Sequence, residues 1–203
     1  MTTPETPAPG DRNGHEPHAA WPATGSWRAE DLDRLPGLPR RVELLDGAPS
    51  FPGPRSLFHT RALRRLETSL LGAVPAGWDV LRGMSVRLGP RDRPEVDVLV
   101  VRAEAAERPD VTFFTPEDVL LAVEVVSPDS RGRDRGVKPR KYAEAGIRHF
   151  WRVEREDDRV VAYVHAPDPA TGSYVPTGVH HERLKVDVPF PVDIDLGAAL
   201  RRR

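Results

Sequence analysis

The chain has 203 residues and no cysteine, which excludes a disulfide framework and a thiolate metal site. No apolar run reaches the roughly 18 residues that a membrane-spanning helix requires. The formal net charge of −1 gives no general affinity for nucleic acid, so DNA binding would depend on a local basic groove. We therefore expect a soluble, cytoplasmic protein without membrane contacts.

The first 25 residues differ in composition from the rest of the chain. Residues 1–25 are rich in Pro, Thr, Gly, Glu and His without apolar periodicity, which is typical of a disordered tail. Residues 1–20 also lack the apolar core of a signal peptide. Residues 26–203 have the length of a single domain, and we predict one domain there.

Helical and strand-like patterns alternate through the first half of this domain. The predicted elements are two helices, over 27–35 and 56–71, and three strands, over 41–47, 78–82 and 84–88. The second helix is the clearest, because His59, Leu63 and Leu66 recur on one face. The first strand ends in an Asp-Gly turn, and Gly83 separates the other two.

The second half begins with two continuous runs of Val and Leu, over 96–102 and 119–126, which are typical of central strands covered on both faces. A helix is predicted over 138–145, ending at Gly146. The remaining predictions are strands over 149–153, 159–165 and 173–176 and a terminal helix over 195–200. This order indicates an α/β (α+β) fold with a mixed central β-sheet.

Two carboxylates, Asp97 and Glu124, lie inside the two apolar runs, where an ionised group is costly unless something pairs with it. Lys138 follows where the pattern becomes helical, and Asp134, Lys138 and Tyr142 share one helical face at four-residue spacing. Lysine is rare in this arginine-rich chain. Because only lysine combines a compact charge with a pKa that can shift, its presence here indicates a need for an ammonium group.

These residue types suit metal-dependent hydrolysis of a phosphodiester. Mg²⁺ takes oxygen ligands and keeps several waters, so one or two carboxylates suffice, with Mn²⁺ as an alternative cation. Asp97 and Glu124 are the candidate metal ligands, and the Val125 carbonyl could add a backbone oxygen. Lys138 would orient or deprotonate the attacking water and offset the phosphate charge.

Several stretches resemble a known family. They are Val42–Gly47 with the following His59, Glu124-Val125-Val126-Ser127-Pro128, Asp134-x-x-x-Lys138-x-x-x-Tyr142-x-x-x-Gly146-Ile147, and His149-Phe150-Trp151. Together they resemble the Uma-type restriction endonucleases, a branch of the PD-(D/E)xK nuclease superfamily, over about residues 27 to 195. The resemblance implies a restriction endonuclease-like core and a Mg²⁺-dependent endonuclease that hydrolyses DNA.

The resemblance also implies roles for single residues. The acids of the first and second superfamily motifs bind the metal, which corresponds to Asp97 and Glu124. The lysine usually found two residues after the second acid is replaced by Val126, and the family pattern has a lysine on the following helix, which corresponds to Lys138. An acid at the position of Glu43 makes Glu43 a further candidate catalytic residue.

Some assignments stay open in the sequence. Glu95 competes with Asp97 for the first motif, because the Pro-Asp of that motif is split here into Pro94-Glu95 and Val96-Asp97. Lys141 competes with Lys138, because Pro139 complicates the start of the helix.

Other residues have a structural alternative. Glu43 is equally well explained as a glutamate on a surface strand, and His59 better as a hydrogen-bonded core residue than as a ligand. Tyr142 and Trp151 are predicted to be packing residues.

The sequence therefore predicts an endodeoxyribonuclease with DNA as substrate, and cleavage of both strands would favour a homodimer. The main alternative is a non-catalytic nuclease-fold module that binds nucleic acid or protein, which the near-neutral charge favours. A nuclease for RNA or for branched or modified DNA is a further alternative. Metal binding distinguishes the enzyme from the binding module.

Overall fold

The computed structural model describes residues 21–201 of the chain. The predicted tail over 1–25 lies outside the described residues as far as residue 20, and so do residues 202 and 203. Within 21–25, Gly25 donates a backbone hydrogen bond to Gly47 at 2.8 Å, and the Trp21 ring stacks on Phe51. This short segment therefore contacts the domain that follows it.

The elements follow one another along the chain as α1 (Asp31–Arg34), β1 (Glu43–Leu45), β2 (Ala48–Ser50), α2 (Leu57–Leu71), β3 (Trp78–Val86), β4 (Glu95–Arg102), α3 (Ala103–Ala106), β5 (Phe113–Phe114), β6 (Val119–Val125), α4 (Lys138–Glu144), β7 (His149–Glu156), β8 (Arg159–Pro167), β9 (Tyr174–His181), β10 (Arg183–Val186) and β11 (Val192–Asp195). A turn of π-helix over Arg133–Val137 leads directly into α4. No helix within 21–201 is long and apolar enough to cross a membrane.

The main sheet has seven strands in the order β5-β3-β4-β6-β7-β8-β9. Pairs β6–β7 and β3–β5 are parallel and the other four pairs are antiparallel, so the predicted mixed central sheet is confirmed. The parallel pair β6–β7 is joined through α4, as a parallel connection requires. Lys138 is the first residue of α4 and therefore lies within this crossover connection.

The two continuous Val/Leu runs form β4 and β6, at the centre of the sheet. Side chains on one face of these strands pack against α2 and the β10–β11 hairpin, and side chains on the other face pack around Tyr142 and Ile147 at α4. Burial on both faces explains why these strands lack the polar alternation of a half-exposed strand.

Four element predictions needed correction. The predicted helix over 27–35 is only the single turn α1, and Gly83 lies inside one continuous strand, β3, with a positive φ of 66°. Strand β9 extends well beyond 173–176, and the predicted terminal helix over 195–200 is a 3-10 turn that follows β11. A glycine tolerates the positive φ, so β3 continues through a position that reads as a break in sequence.

Candidate active site

The candidate site lies where β4 and β6 separate. Their backbone pairing ends at Val98 and Val123, one step before Asp97 and Glu124. Beyond that point the Asp97 carboxylate replaces the backbone, since its Oδ2 accepts a hydrogen bond from the Val125 amide at 2.9 Å. Both acids are buried, and they line the same cavity. The structure therefore brings the two predicted metal-binding acids together at this end of the sheet.

Lys138 lies among these acids and is only 2% exposed. Its ammonium donates three hydrogen bonds, to Glu43 Oε1 at 2.8 Å, the Glu95 carbonyl at 3.0 Å and Glu124 Oε1 at 3.1 Å. Asp134 Oδ1 lies 3.6 Å from the same nitrogen. Burial opposes the charge, but the surrounding carboxylates, Glu124 and Glu43 first, hold the pKa of Lys138 well above the usual lysine range. The group is therefore an ammonium ion at neutral pH.

Lys141, the competing lysine, points to a different place. Its nitrogen lies 2.6 Å from Asp46 Oδ1 and 2.8 Å from Asp92 Oδ1, and so it ties α4 to the β1–β2 turn. It does not line the cavity that contains Lys138.

Glu95, the competing acid, contributes its backbone rather than its carboxylate. The Glu95 side chain accepts hydrogen bonds from Arg41 at 2.9 Å and Arg55 at 3.1 Å, and it does not line the cavity. Its carbonyl, by contrast, accepts from Lys138. The Asp97 carboxylate is the one that faces the cavity.

Glu43 is buried in β1 rather than placed on a surface strand. One oxygen, Oε1, accepts from Lys138, and the other, Oε2, is buried without a hydrogen-bond partner among residues 21–201. Asp134 Oδ1 is likewise buried without a hydrogen-bond partner among these residues. Two buried carboxylates therefore have acceptor capacity that the described part of the protein does not use.

His59 lies in the first turn of α2, whose N-terminus is capped by the Ser56 hydroxyl. Its Nε2 is 3.1 Å from Asp97 Oδ1. Burial alone would raise the pKa of Asp97, but the His59 hydrogen bond and charge, with smaller help from Lys138 and the Val125 amide, hold that pKa below its ordinary value. His59 is thus a hydrogen-bonded buried residue that also keeps Asp97 ionised.

Tyr142 packs in the core as predicted, with its ring 5.8 Å from the Phe150 ring centroid. It also has a polar role that the sequence prediction missed, because its hydroxyl donates to Glu124 Oε1 at 2.6 Å. Burial, aided by the nearby Asp134 and opposed by Lys138, raises the pKa of Glu124 well above the usual range. One oxygen of Glu124 is therefore held by two donors, Lys138 and Tyr142.

The cavity at the centre of the site has a volume of about 40 Å³, slightly more than the roughly 30 Å³ share of one water in the liquid. Its charged lining comprises five carboxylates and four cationic side chains: Glu43, Asp97, Glu124, Asp129 and Asp134, with Arg41, Arg55, Arg133 and Lys138. The formal charge of the lining is therefore −1 when His59 is neutral and all five carboxyl groups are ionised. Three of these residues, Arg55, Asp129 and Arg133, carry no sequence signal that separates them from other surface charges.

The donor set fits a hard divalent cation. The unused oxygens of Glu43 and Asp134 and the excess of carboxylates both favour an added positive charge, since buried carboxylates are costly unless compensated. Within residues 21–201, no three His, Asp or Glu side chains are grouped as an assembled metal site. Lys138 lies between the carboxylates instead, so the chain would supply one or two carboxylates and water the rest, as Mg²⁺ allows.

Comparisons with known proteins agree with this fold. Residues 29–199 match the model of the Uma2 family, described as "Putative restriction endonuclease". The structure is similar to the crystal structure of a protein from Anabaena variabilis ATCC 29413 described as a putative nuclease belonging to DUF820, with a TM-score of 0.65 and 16% identity over 89% of this chain and 100% of that chain. The comparison with curated proteins gave no match. The predicted family resemblance is confirmed, and the chain belongs to the Uma2 family.

Proposed function

We propose that the protein is a Mg²⁺-dependent endonuclease that hydrolyses phosphodiester bonds in DNA. The observation that carries this proposal is the convergence of acids from β1, β4 and β6 with one buried ammonium at a small cavity. The family description and the name of the structural neighbour support nuclease activity in general. The metal and the DNA substrate are the additions that we make from the chemistry of the site.

In this proposal Asp97 and Glu124 hold the cation, with the Val125 carbonyl as a further oxygen ligand. The bound cation would supply a Lewis acid and a more acidic water. The low pKa of Asp97 keeps that carboxylate ionised, and Tyr142 holds Glu124 in a fixed orientation. Because the pKa of Lys138 is raised, its part is to stabilise negative charge and not to remove a proton.

Charge also favours a metal-dependent interaction with phosphate. With His59 neutral and all five carboxyl groups ionised, the lining has a formal charge of −1, which repels a phosphodiester, whereas one divalent cation would bring that charge to +1. The overall charge of the protein is −1, so no general attraction compensates for the repulsion. We therefore expect DNA to enter this site only with the cation.

Cleavage of supercoiled plasmid DNA with Mg²⁺ or Mn²⁺ tests the proposal. We expect nicking or linearisation by the wild type, and losses of at least about a hundredfold in Glu124→Gln and Lys138→Met, because each change removes a buried charge next to the reaction. Glu144→Gln is the matched control, since this α4 glutamate is 65% exposed. Activity that persists in both site variants would refute the assignment.

A binding module is the second candidate function, and one observation favours it. All three protons of the Lys138 ammonium are already donated within the protein, so none is free for a water or a phosphate. Binding of DNA that requires a divalent cation but leads to no cleavage, in wild type and variants alike, would support this function instead.

A further inference from the structure

We propose that Arg55 and Arg133 form the subsite that binds the phosphate group under attack. This inference rests on the proposed nuclease function and names residues for which nothing in the family pattern quoted above provides a role. It assigns substrate binding to the arginines at the mouth of the cavity, and leaves the acids and Lys138 to hold the cation and balance charge.

The two arginines are placed to contact both the cavity and the solvent. Arg55 ends the loop before Ser56, the cap of α2, and Arg133 begins the π-helical turn before α4. Both line the cavity, yet their side chains are 29% and 28% exposed. A phosphate approaching from solvent would therefore meet these guanidinium groups before it met the buried Lys138.

The present pairing of Arg133 is incomplete. Its Nε lies 3.5 Å from Glu43 Oε2, and neither atom has a hydrogen-bond partner among residues 21–201. The Arg133 Nε and the Glu43 Oε2 are thus oppositely charged neighbours without a hydrogen bond, and each keeps a bonding position that a further group could take. A phosphate bound by Arg133 would satisfy the guanidinium nitrogen, and the cation held by Asp97 and Glu124 would offset the charge left on Glu43.

Arg55 is shared between two acids. Its Nη2 donates to Glu95 Oε1 at 3.1 Å and lies 3.5 Å from Asp97 Oδ1. If a cation were bound to Asp97, it would weaken the attraction between Asp97 and Arg55, and more of the guanidinium charge would be available to an anion.

Two other arginines of the fold are held by hydrogen bonds, although the Arg93 Nε is itself buried without a partner among residues 21–201. Arg93 donates to both oxygens of Asp33, at 2.6 and 2.9 Å, as well as to Thr112. Arg41, the third arginine of the cavity lining, donates through Nε to Glu95 at 2.9 Å and through Nη1 to the Gly53 carbonyl at 3.5 Å. We therefore assign Arg41 to holding the loop and reserve the phosphate role for Arg55 and Arg133.

Guanidinium suits this role because its planar fork matches two phosphate oxygens and stays charged at any working pH. The phosphoryl oxygens gain negative charge as water attacks, so a fixed guanidinium binds the transition state more tightly than the ground state. Two such groups beside one divalent cation would stabilise that charge from separate positions.

The test is steady-state cleavage of plasmid DNA by Arg55→Ala, Arg133→Ala and their lysine counterparts. We expect each alanine variant to lose about tenfold to a hundredfold in kcat/KM, with partial recovery in the lysine variants and on addition of free guanidinium ion. Arg183→Ala is the control, because this exposed arginine pairs with Asp193 on the β10–β11 hairpin, outside the cavity lining, and its loss should leave the rate unchanged.

Salt dependence gives a second readout that a purely structural role would not change. The slope of log(kcat/KM) against log[KCl] should become shallower by about 0.9 for each phosphate contact removed. The same loss should appear in the binding of a fluorescently labelled duplex when Ca²⁺ replaces Mg²⁺. If an alanine variant fails to fold by circular dichroism, the glutamine variant replaces it in both measurements.

The outcomes separate this inference from the function on which it rests. Cleavage by the wild type with unchanged kcat/KM and salt slope in the arginine variants would overturn the phosphate subsite and leave the nuclease proposal intact. A wild type that neither cuts nor binds DNA with any divalent cation would overturn both. Loss of rate that free guanidinium restores, together with a shallower salt slope, would support the subsite.

Discussion

Two lysines of α4, Lys138 and Lys141, lie three positions apart but in very different surroundings. Lys138 is surrounded by buried carboxylates, whereas Lys141 pairs with Asp46, whose side chain is 67% exposed, and with Asp92. The first arrangement is costly, because removing several charges from water costs more free energy than their mutual attraction regains, unless every charged group is also hydrogen-bonded. In the second, Lys141 is only 9% exposed, but both of its acidic partners are reached by solvent, which weakens the electrostatic terms. Stability alone would explain Lys141, whereas the acidic surroundings of Lys138 support the functional role that we propose for it.

The largest difference between the two lysines should appear in stability. Lys138→Met leaves Glu43 and Glu124 without their ammonium partner, so we expect the free energy of unfolding to fall by about 3 kcal/mol in EDTA. Lys141→Met should cost less than about 1 kcal/mol. Urea unfolding at neutral pH measures both values. Equal losses in the two variants would mean that the buried cluster has no special energetic status.

Binding of a divalent cation to the buried carboxylates around Lys138 should stabilise the protein. Saturating Mg²⁺ should raise the melting temperature of the wild type, with about 2.7 kcal/mol of added stability at a hundred times the dissociation constant. Glu124→Gln should abolish this stabilisation, because the amide removes a charged ligand from the cavity. Glu144→Gln, exposed on α4, should preserve it. Calorimetric titration with Mg²⁺ and Mn²⁺ gives an independent measurement.

Substitution of Tyr142 tests whether the orientation of the Glu124 carboxylate affects stability and catalysis. Tyr142→Phe keeps the ring in the core but removes the hydroxyl that donates to Glu124 Oε1. We expect a loss of about 1 kcal/mol in stability, the usual contribution of one hydrogen bond, and a fall in kcat larger than the change in KM. A variant with wild-type kcat would show that Lys138 alone fixes the position of Glu124.

The parts of the fold and of the candidate site that could be predicted from the sequence are those whose residues differ from their immediate neighbours in the chain. The unbroken apolar runs identify β4 and β6, because burial on both faces leaves no room for polar alternation. Asp97, Glu124 and Lys138 stand out because an acid in such a run, or a lysine among arginines, is unusual in its own neighbourhood. Local contrast therefore singled out these three residues as candidates, although it did not decide between Asp97 and Glu95.

The arginines at the mouth of the cavity do not differ in this way from their neighbours in the sequence. Arg133 is one of many arginines, and its importance comes from facing Glu43, which is far away in the chain. The bond from Lys138 to Glu43 likewise spans 95 positions. The sequence left the choice between Lys138 and Lys141 open for the same reason: both lie on α4, and only the packing of β1 and its turn against this helix separates their partners.

The smallest predicted effect concerns Lys141 and acid. The hydrogen bond from Lys141, stronger than the opposing effect of burial, holds the pKa of Asp46 below its ordinary value. Because the folded pKa is the lower one, the contribution of Asp46 to stability is present above the unfolded pKa, near 4, and is lost as the pH falls through the folded value.

The Asp46 contribution to the difference between wild type and Lys141→Met should therefore be about 0.5 kcal/mol at pH 7, since the Asp46 side chain is 67% exposed, and it should shrink toward pH 3. Urea midpoints at both pH values measure it, with Asp46→Asn as the matched control. A gap that stays constant between pH 7 and pH 3 in Lys141→Met would show that this lysine stabilises through the packing of its methylene stem and not through its charge.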